Sequence, residues 1–312
     1  MDKYLILDGN YLLHRVLHAA FSKELSTDGG DITGGCFGAL RIVRNAVMQF
    51  KPTKCLYVWD KGISKRRRIL YPDYKHKRVV DEKEHNEYMR IFYSQVRLLE
   101  ELLGYINVHS ISVGGKEGDD VCYQLSRILD GESIVVSDDR DYILMLKEGT
   151  DIFRPMANEY VTLANCKKVT GYTPGEYLFR KVIEGDSSDN IKGVRGAGKK
   201  TIDGILEQVT GIDTGSANRE VLSCILDKLK ELELDRRGKL ILENLHIVER
   251  NLWMVDCSFE EWSTGELIGL GAQVQEKLEY NEKMFIKRIT ELQFKSMLKG
   301  YSLWSLPFKR LK

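Results

Sequence analysis

The sequence lacks the features that mark several common classes of protein. Its six cysteines are scattered and form no CxxC pair, which argues against a zinc ribbon and fits reduced thiols in a cytosolic protein. No uncharged apolar run is long enough to span a membrane, so we expect a soluble protein that is not secreted. Lys and Arg number 47 against 46 Asp and Glu, so only the local distribution of charge can indicate a partner.

Short apolar runs that end in acidic residues are the first positive signal. The runs over 4–7, 56–59 and 133–136 indicate buried strands, and they are followed by Asp8, by Asp60, and by Asp138, Asp139 and Asp141. Helical periodicity occupies about 11–21, 37–50 and 84–103. Strands that alternate with helices predict a parallel α/β sheet, whose ligands gather beyond the carboxyl ends of the strands.

Further acids stand at two other places. Glu117, Asp119 and Asp120 open a predicted helix, where one or two acids would serve only the helix dipole. Asp186 and Asp189 share a polar turn, at a spacing that lets both reach one hard cation. Gathered carboxylates repel unless they share a cation, and no His or Cys recurs beside them, so we predict an oxygen-only site for Mg²⁺ or Mn²⁺ rather than Zn²⁺. Two such ions about 4 Å apart would promote an in-line phosphodiester displacement.

The strongest local imbalance of charge lies between residues 61 and 78. Eight basic residues face the single acid Asp73, and Tyr71 and Tyr74 lie among them. Because basic side chains attract phosphates and aromatic rings stack on unpaired bases, the segment predicts a path for a single nucleic-acid strand. A solvated basic helix face is the alternative.

A short basic loop with glycines follows Asp189. Gly193, Gly196 and Gly198 would let backbone N–H groups approach a phosphate, and a helix predicted from Lys199 would direct its positive end to the same place. A surface loop before an ordinary helix start is the alternative. The aromatic and basic segment 301–312 is expected to pack on a helical lobe, with a docking peptide for another protein as the alternative.

Several motifs together resemble the flap endonuclease or 5′-nuclease family over about residues 4–205. The resemblance is strongest to the stand-alone phage 5′-nucleases of the T-even RNase H type and to the 5′-nuclease domain of bacterial DNA polymerase I. The motifs that carry it are LILDGN, YVWDKGISKRRRILYPDYKHKR, KEGDD, VVSDDRDY and GDSSDNIKGVRGAGKKT. The chain departs from the family at Met145, where a Gln is usual, and at Asp138, where relatives carry a small residue.

The resemblance implies a role for each matching residue. The implied metal ligands are Asp8, Asp60, Glu117, Asp119, Asp120, Asp139, Asp141, Asp186 and Asp189. Lys75 and Arg67 would approach the scissile phosphate as catalytic residues, and Tyr74 would stack on a base. The other implied DNA-binding residues are Arg66, Tyr71, Arg78, Gly193, Gly196, Gly198, Lys199, Lys200 and Thr201.

The resemblance also implies the fold. A central, mostly parallel sheet flanked by helices, the PIN-like or 5′-nuclease fold, would occupy a nuclease domain over 1–170, with a basic helical arch over 61–103. A helical domain over 171–312 would contain a helix-hairpin-helix at 175–210, with a K⁺ ion bound there.

The implied activity is that of a structure-specific 5′-nuclease, a 5′–3′ exonuclease and flap endonuclease that uses two Mg²⁺ ions, for which Mn²⁺ can substitute. Its substrates would be branched, flapped or nicked duplex DNA and RNA–DNA hybrids, including RNA primers in replication. A single-strand-binding protein or another replication protein would bind through the C-terminal lobe. We expect a monomer in the cytoplasm, that of a bacterial host if a phage encodes the chain. A PIN-type ribonuclease and a non-catalytic branched-DNA-binding protein are the alternatives.

Overall fold

Strands and helices alternate through the first half of the chain, and helices dominate the second. The computed structural model describes residues 2–19, 25–76, 82–231 and 236–312. The strands are β1 (Asp2–Asp8), β2 (Lys54–Val58), β3 (Val108–Ile111), β4 (Gly131–Val136), β5 (Thr150–Arg154), β6 (Glu159–Val161), β7 (Gly185–Asp186) and β8 (Ile191–Lys192). Within the described ranges, no helix is long and apolar enough to cross a membrane.

In chain order the helices begin with α1 (Gly9–His18), α2 (Gly34–Phe50), α3 (Lys65–Leu70), α4 (Glu82–Tyr105), α5 (Gly118–Ile128) and α6 (Cys166–Thr170). Those that follow are α7 (Pro174–Glu184), α8 (Lys199–Leu206), α9 (Arg219–Glu231), α10 (Arg236–Leu242), α11 (Leu245–Val255), α12 (Thr264–Gln275), α13 (Glu282–Glu291), α14 (Lys295–Lys299) and α15 (Tyr301–Ser305). Short 3₁₀ helices span Arg140–Met145, Cys257–Phe259 and Phe308–Arg310.

Two compact units interleave along the chain. The first unit is built from the described parts of 1–62, 80–137 and 262–312, and the second from those of 63–79 and 138–261. The units interleave because the chain enters the second unit twice and then returns to the first. The predicted nuclease and helical domains instead follow one another along the sequence, and their boundary near residue 170 stays a prediction.

Parallel strands form the sheet of the first unit. They lie in the order β3-β2-β1-β4, and each neighbouring pair is parallel. The order turns back at β1, because β2 and β3 lie on one side of it and β4 on the other, and ligands of such sheets bind beyond the carboxyl ends at this point. Asp8 ends β1 there, and Asp60 follows β2 at the same edge. The predicted α/β class with a mostly parallel sheet is confirmed.

Helices α2 and α4 cover this sheet. The amphipathic pattern predicted for α4 is confirmed, since Phe92, Leu99 and Leu103 are buried. Helix α2 begins at Gly34, about one turn before the predicted start. Close packing explains Gly35 in this turn, because a Cβ there would lie 2.9 Å from a methyl carbon of Leu17. Residues 20 and 21, predicted to end the first helix, lie outside the described residues.

The second unit is organised around α7 and α11. A capping box starts α7, since Thr173 and Glu176 exchange hydrogen bonds between side chain and main chain. The fully buried Asn251 of α11 donates from Nδ2 to Val182 O at 2.8 Å and to Lys192 O at 3.1 Å. Helix α11 is thereby fixed to α7 and to the strand that follows the Asp186 turn.

The C-terminal segment packs inside the first unit, against α13 of the predicted helical lobe and against α2. Trp304 and Phe308 are buried, and Trp304 stacks on Phe285 with ring centroids 5.2 Å apart. Arg44 Nε donates to Trp304 O at 3.0 Å, and the last N–H of the chain donates to Thr53 O at 2.9 Å. The aromatic composition of the segment predicts that it packs in a core, but composition alone does not specify which helices it contacts.

Replacing Phe308 with Ala should destabilise the first unit by about 3–5 kcal/mol, because it would leave a cavity among fully buried side chains. Leu303→Ala is the matched control, since this neighbouring side chain is mainly exposed and its loss should cost less than about 0.5 kcal/mol. Urea unfolding followed by tryptophan fluorescence measures both. Equal, small effects would contradict the packing of this segment.

Candidate active site

A cluster of acidic side chains stands at the start of α5. Glu117 is the N-cap residue, Asp119 and Asp120 lie in the first turn, and the ligand oxygens of all three lie within 4.8 Å of one another. Glu117 is 3% exposed and Asp120 is fully buried. The positive end of the helix offsets part of their repulsion. Closely spaced carboxylate oxygens are the donor set that fits a hard divalent cation.

Two further predicted ligands of the first unit lie at the carboxyl edge of the sheet. Asp8 accepts hydrogen bonds from the Tyr11 N–H and from Ser137 Oγ, both at 3.1 Å. Asp60 accepts one from the Gly118 N–H at 2.6 Å. A Cβ at position 118 would lie 2.5 Å from the same oxygen, so the glycine permits this close approach. Asp60 is thereby brought to the first residue of α5, next to the acidic cluster.

In the second unit, Lys181 of α7 bridges two predicted ligands. Its Nζ lies 2.8 Å from Asp141 Oδ1 and 2.7 Å from Asp186 Oδ2. Asp141 also accepts a hydrogen bond from Tyr177 Oη at 3.2 Å, and Asp186 accepts two from Ser188, from Oγ at 2.6 Å and from N–H at 2.7 Å. The second unit therefore gathers Asp141 and Asp186 around one ammonium group.

The surroundings of these two carboxyl groups shift their pKa values in opposite directions. Burial raises the pKa of Asp141 to about 6, against the attraction of Lys181. Burial also acts to raise the pKa of Asp186, but hydrogen bonds from Lys181 and Ser188 outweigh it and lower the pKa to about 2. Burial lowers the pKa of Lys181, and the two carboxylates more than reverse this, so its pKa lies well above the ordinary value. Of the two acids, Asp141 titrates closer to neutral pH.

The acids that follow β4 have separate roles. Asp139 is exposed and caps the 3₁₀ helix by accepting a hydrogen bond from the Asp141 N–H at 2.9 Å. Asp138 accepts the Met156 N–H on both carboxylate oxygens, at 2.9 and 3.1 Å. Since Met156 lies in the turn between β5 and β6, Asp138 stabilises this hairpin. Met145, the other departure from the family pattern, is buried in the 3₁₀ helix.

The described end of the basic segment contacts the turn that carries Asp189. The Lys75 N–H donates to Asp189 O at 3.0 Å, and Tyr74 Oη lies 3.4 Å from the Asp189 carboxylate. Lys75 Nζ lies over the Tyr74 ring, 5.0 Å from its centroid. The Tyr74 ring is 3% exposed and packs against Ile191 and Met254, so it is not open to a base in this arrangement.

Other basic residues of the segment are also bonded within the second unit. Arg67 is 1% exposed, and its Nε donates to Met254 O at 2.9 Å. Arg66 Nε lies 3.4 Å from Glu260 Oε2. The guanidinium of Arg250, in α11, lies over the Tyr71 ring, 4.9 Å from its centroid. These contacts fasten α3 to α11 and the segment after it, and the predicted contacts with phosphate stay predictions.

The glycine-rich loop joins α7 to α8 through β7 and β8. A Cβ at Gly193 would lie 2.2 Å from the carbonyl oxygen of the last residue of α7, so this position is closely packed. Gly196 has a φ of 88°, which other residues rarely adopt. Gly198 is the N-cap of α8, and Lys199 pairs with Asp203 at 2.5 Å. The predicted start of this helix is confirmed, and the helix-hairpin-helix stays a prediction.

Comparison with known proteins identifies the family. Residues 3–171 match the family model described as the 5′–3′ exonuclease, N-terminal resolvase-like domain, and this match covers more than half of the chain. The chain belongs to the 5′–3′ exonuclease family. The family predicted from the motifs is confirmed.

Individual relatives differ in how much of them the chain matches. It is 29% identical to the 5′–3′ exonuclease of Bacillus subtilis over 249 residues, which is 76% of this chain and 82% of that protein. It is 25% identical to DNA polymerase I of Caldicellulosiruptor bescii over 315 residues, which is 96% of this chain and 34% of the polymerase. The chain thus spans about a third of the polymerase.

A solved structure shares the fold. The flap endonuclease of bacteriophage T5, in a complex with DNA and metal ions, superposes with a TM-score of 0.64 at 18% identity. The alignment covers 93% of this chain and 99% of that one. At this level of identity the likeness shows the fold.

The predicted ligands therefore fall into two groups, one in each unit. The first unit holds Asp8, Asp60, Glu117, Asp119 and Asp120, and the second holds Asp139, Asp141, Asp186 and Asp189. Sequence reasoning missed Lys181, Ser137 and Tyr177, the side chains that bond to these acids. Lys181 could have been found from its position in the sequence, because it lies one turn before the end of α7 and Asp186 follows that end. The prediction for Arg78 lies outside the described residues, and the roles of Lys200 and Thr201 stay predictions.

Replacing Lys181 with Met should raise the pKa of Asp186 from about 2 towards its ordinary value, because an apolar side chain would stand where the ammonium now stabilises the carboxylate. NMR titration of the carboxyl carbons, in protein freed of metal by EDTA, measures this. Lys181→Arg keeps the charge and should keep the Asp186 pKa low. A pKa near 2 in Lys181→Met would contradict the bridging role.

Proposed function

We propose that this chain is a metal-dependent, structure-specific 5′-nuclease. It acts as a 5′–3′ exonuclease and flap endonuclease that hydrolyses phosphodiester bonds of DNA and of RNA–DNA hybrids. The observation that carries this proposal is the cluster of Glu117, Asp119 and Asp120, with ligand oxygens within 4.8 Å of one another. Buried carboxylates this close are costly unless a cation compensates their charge.

Mg²⁺ is the proposed cation, and Mn²⁺ can substitute for it, because the donors are carboxylate oxygens without His or Cys. The proposed ligands of the first unit are Asp8, Asp60, Glu117, Asp119 and Asp120, and those of the second unit are Asp139, Asp141, Asp186 and Asp189. When two such ions are bound, they supply an activated water and neutralise charge on the leaving oxygen.

The chain's own residues orient these acids and keep them ionised. Ser137 Oγ and the Gly118 N–H fix the carboxylates of Asp8 and Asp60 by hydrogen bonds. Lys181 stabilises the anionic form of Asp186, which is the form that binds a cation. These contacts support a site that is set before substrate arrives, as electrostatic catalysis requires.

Lys75 is the residue proposed to stabilise charge on the scissile phosphate, with Arg67 as a second catalytic residue. The support for Lys75 is its position beside the Asp186–Asp189 turn, where its main chain is bonded to Asp189. An ammonium group near the reacting phosphate would lower the cost of the negative charge that develops there.

Nucleic-acid binding is proposed for two surfaces. The basic segment would hold a single strand through Arg66, Tyr71 and Arg78. The glycine-rich loop and the start of α8 would hold the duplex backbone, with a K⁺ ion, through Gly193, Gly196, Gly198, Lys199, Lys200 and Thr201. The DNA and metal ions in the T5 complex support this assignment.

The proposed substrates are branched, flapped or nicked duplexes, including RNA primers in replication. A replication protein as partner, the monomeric state and the cytoplasmic location stay predictions. No observation favours a PIN-type ribonuclease, which would lack the loop after Asp189. A non-catalytic scaffold would have lost ligands, and every predicted ligand is present.

Asp120→Asn should lower Mg²⁺-dependent cleavage of a 5′-labelled flap by about two to three orders of magnitude. An amide cannot supply the negative charge that the cation requires. The wild-type protein should release a short 5′ product with Mg²⁺ and none with EDTA. Mn²⁺ titration by electron paramagnetic resonance should show weaker binding to the variant.

Asp130→Asn is the matched control, since this exposed acid lies beyond the other end of α5. It should cleave at the wild-type rate. Absence of any product from the wild-type protein would contradict the proposal, and so would equal rates for wild type and Asp120→Asn.

Lys75→Ala should lower the single-turnover rate of cleavage by about a hundredfold and change flap affinity little, because its charge is proposed to act on the reacting phosphate. Affinity is measured with Ca²⁺ in place of Mg²⁺. Lys65→Ala, an exposed lysine of the same segment, is the control and should cleave normally. A loss of affinity as large as the loss of rate would assign Lys75 to strand binding, and an unchanged rate would remove it from the site.

A further inference from the structure

A groove of about 560 Å³ lies on the first unit, between the end of α2 and the C-terminal segment. Its lining comes from residues 44–53 on one side and 303–312 on the other. Thr53 lies immediately before β2, whereas Asp60 follows the carboxyl end of the same strand. The groove is therefore at the opposite edge of the sheet from the acids of the first unit. A molecule bound there would not compete with the proposed metal site.

The floor of the groove is aliphatic and unusually exposed. Leu303 is 73% exposed, Leu306 48% and Met48 46%, and Val47, Pro52 and Pro307 also line the groove. Adjacent exposed apolar side chains of this size mark interaction surfaces more often than single ones do. Methionine and leucine side chains also adapt to the shape of a bound side chain.

The rim of the groove is basic. Arg44, Lys51, Arg310 and Lys312 line it, and no acidic residue appears among the described lining residues. The whole chain has nearly equal numbers of acidic and basic residues, so this imbalance is local. Arg44 is held in place by its hydrogen bonds to the carbonyl oxygens of Trp304 and Leu303, at 3.0 and 3.3 Å. The charge of the rim is complementary to an anionic partner.

The chemistry of the floor distinguishes between anionic partners. A single nucleic-acid strand is usually held by aromatic rings on which its bases stack, and the described lining contains no aromatic residue. Aliphatic side chains beside cations instead match a peptide that carries large apolar residues next to carboxylates. We propose that this groove docks an acidic peptide segment of a partner protein, with an apolar side chain inserted between α2 and α15.

The test uses a fluorescein-labelled peptide with a run of aspartates followed by leucine and phenylalanine. Fluorescence anisotropy should show saturable binding to the full chain that weakens as salt is added. Arg310→Glu and Leu306→Ser should each raise the Kd about tenfold, because the first reverses a rim charge and the second removes apolar contact. Lys283→Glu, at an exposed lysine outside the groove, is the matched control and should leave the Kd unchanged.

Both groove variants replace exposed side chains, and their urea unfolding curves should match that of the wild type. Flap cleavage should also be unchanged, so this test is independent of the nuclease assignment. A peptide with asparagines in place of the aspartates should bind about tenfold more weakly, and so should one with serines in place of leucine and phenylalanine. Equal binding of either one would overturn the proposal.

Three other outcomes would also overturn it. One is the absence of saturable binding by the labelled peptide. Another is that single-stranded DNA binds more tightly than the peptide and that Arg310→Glu abolishes this DNA binding, which would assign the groove to nucleic acid. The last is self-association that Leu306→Ser abolishes, seen by analytical ultracentrifugation, which would assign the groove to a second copy of the chain.

Discussion

Repulsion between carboxylates is the constraint on which the arrangement of this site depends. In the second unit an ammonium group compensates the negative charge, because Lys181 Nζ lies within 2.8 Å of carboxylate oxygens of both Asp141 and Asp186. In the first unit the acids at Glu117 and Asp120 are buried together, and the proposed Mg²⁺ would supply the compensating charge. The two units thus hold carboxylates by different means, one with a resident cation and the other with a donor set suited to a bound one.

Helix ends make the clustering of these acids tolerable. Asp8 caps α1, Glu117 is the N-cap residue of α5, and Asp139 caps the 3₁₀ helix that contains Asp141. Each position places a carboxylate at the positive end of a helix and beside main-chain N–H groups that have no partner within the helix. Capping and metal binding are therefore not competing explanations of the same residues. The fold uses the helix starts at the carboxyl edge of the sheet to hold acids that would otherwise repel.

Patterning predicted β1, β2 and β4 with the acids at their ends, and the helices α1, α2 and α4, but not the direction of individual side chains. Buried parallel strands need continuous apolar runs, so each run located a strand and the acid at its end. Lys181 was missed because a lysine on an amphipathic helix is an ordinary surface residue until the fold brings it to Asp141. The composition of their segment and the family resemblance assigned Tyr74 and Arg67 to nucleic acid, and neither reveals that both side chains pack inwards. The aromatic content of the C-terminal segment likewise predicted that it packs in a core without specifying which helices it contacts.

The main chain, more than any side chain, connects the proposed catalytic lysine to the acids. Lys75 has a φ of 57°, a left-handed conformation that costs a non-glycine residue on the order of 1 kcal/mol. The Lys75 N–H donates to Asp189 O. Asn190, the residue after Asp189, donates from Nδ2 to Asp73 O at 2.8 Å. Both hydrogen bonds oppose a change of the Lys75 backbone towards a less strained conformation. These two hydrogen bonds join residues 73–75 to the turn at 189–190 and give the strained residue a defined position. If the Lys75 ammonium acts on the phosphate, the main chain from which its side chain extends is bonded to the same turn that carries Asp186 and Asp189.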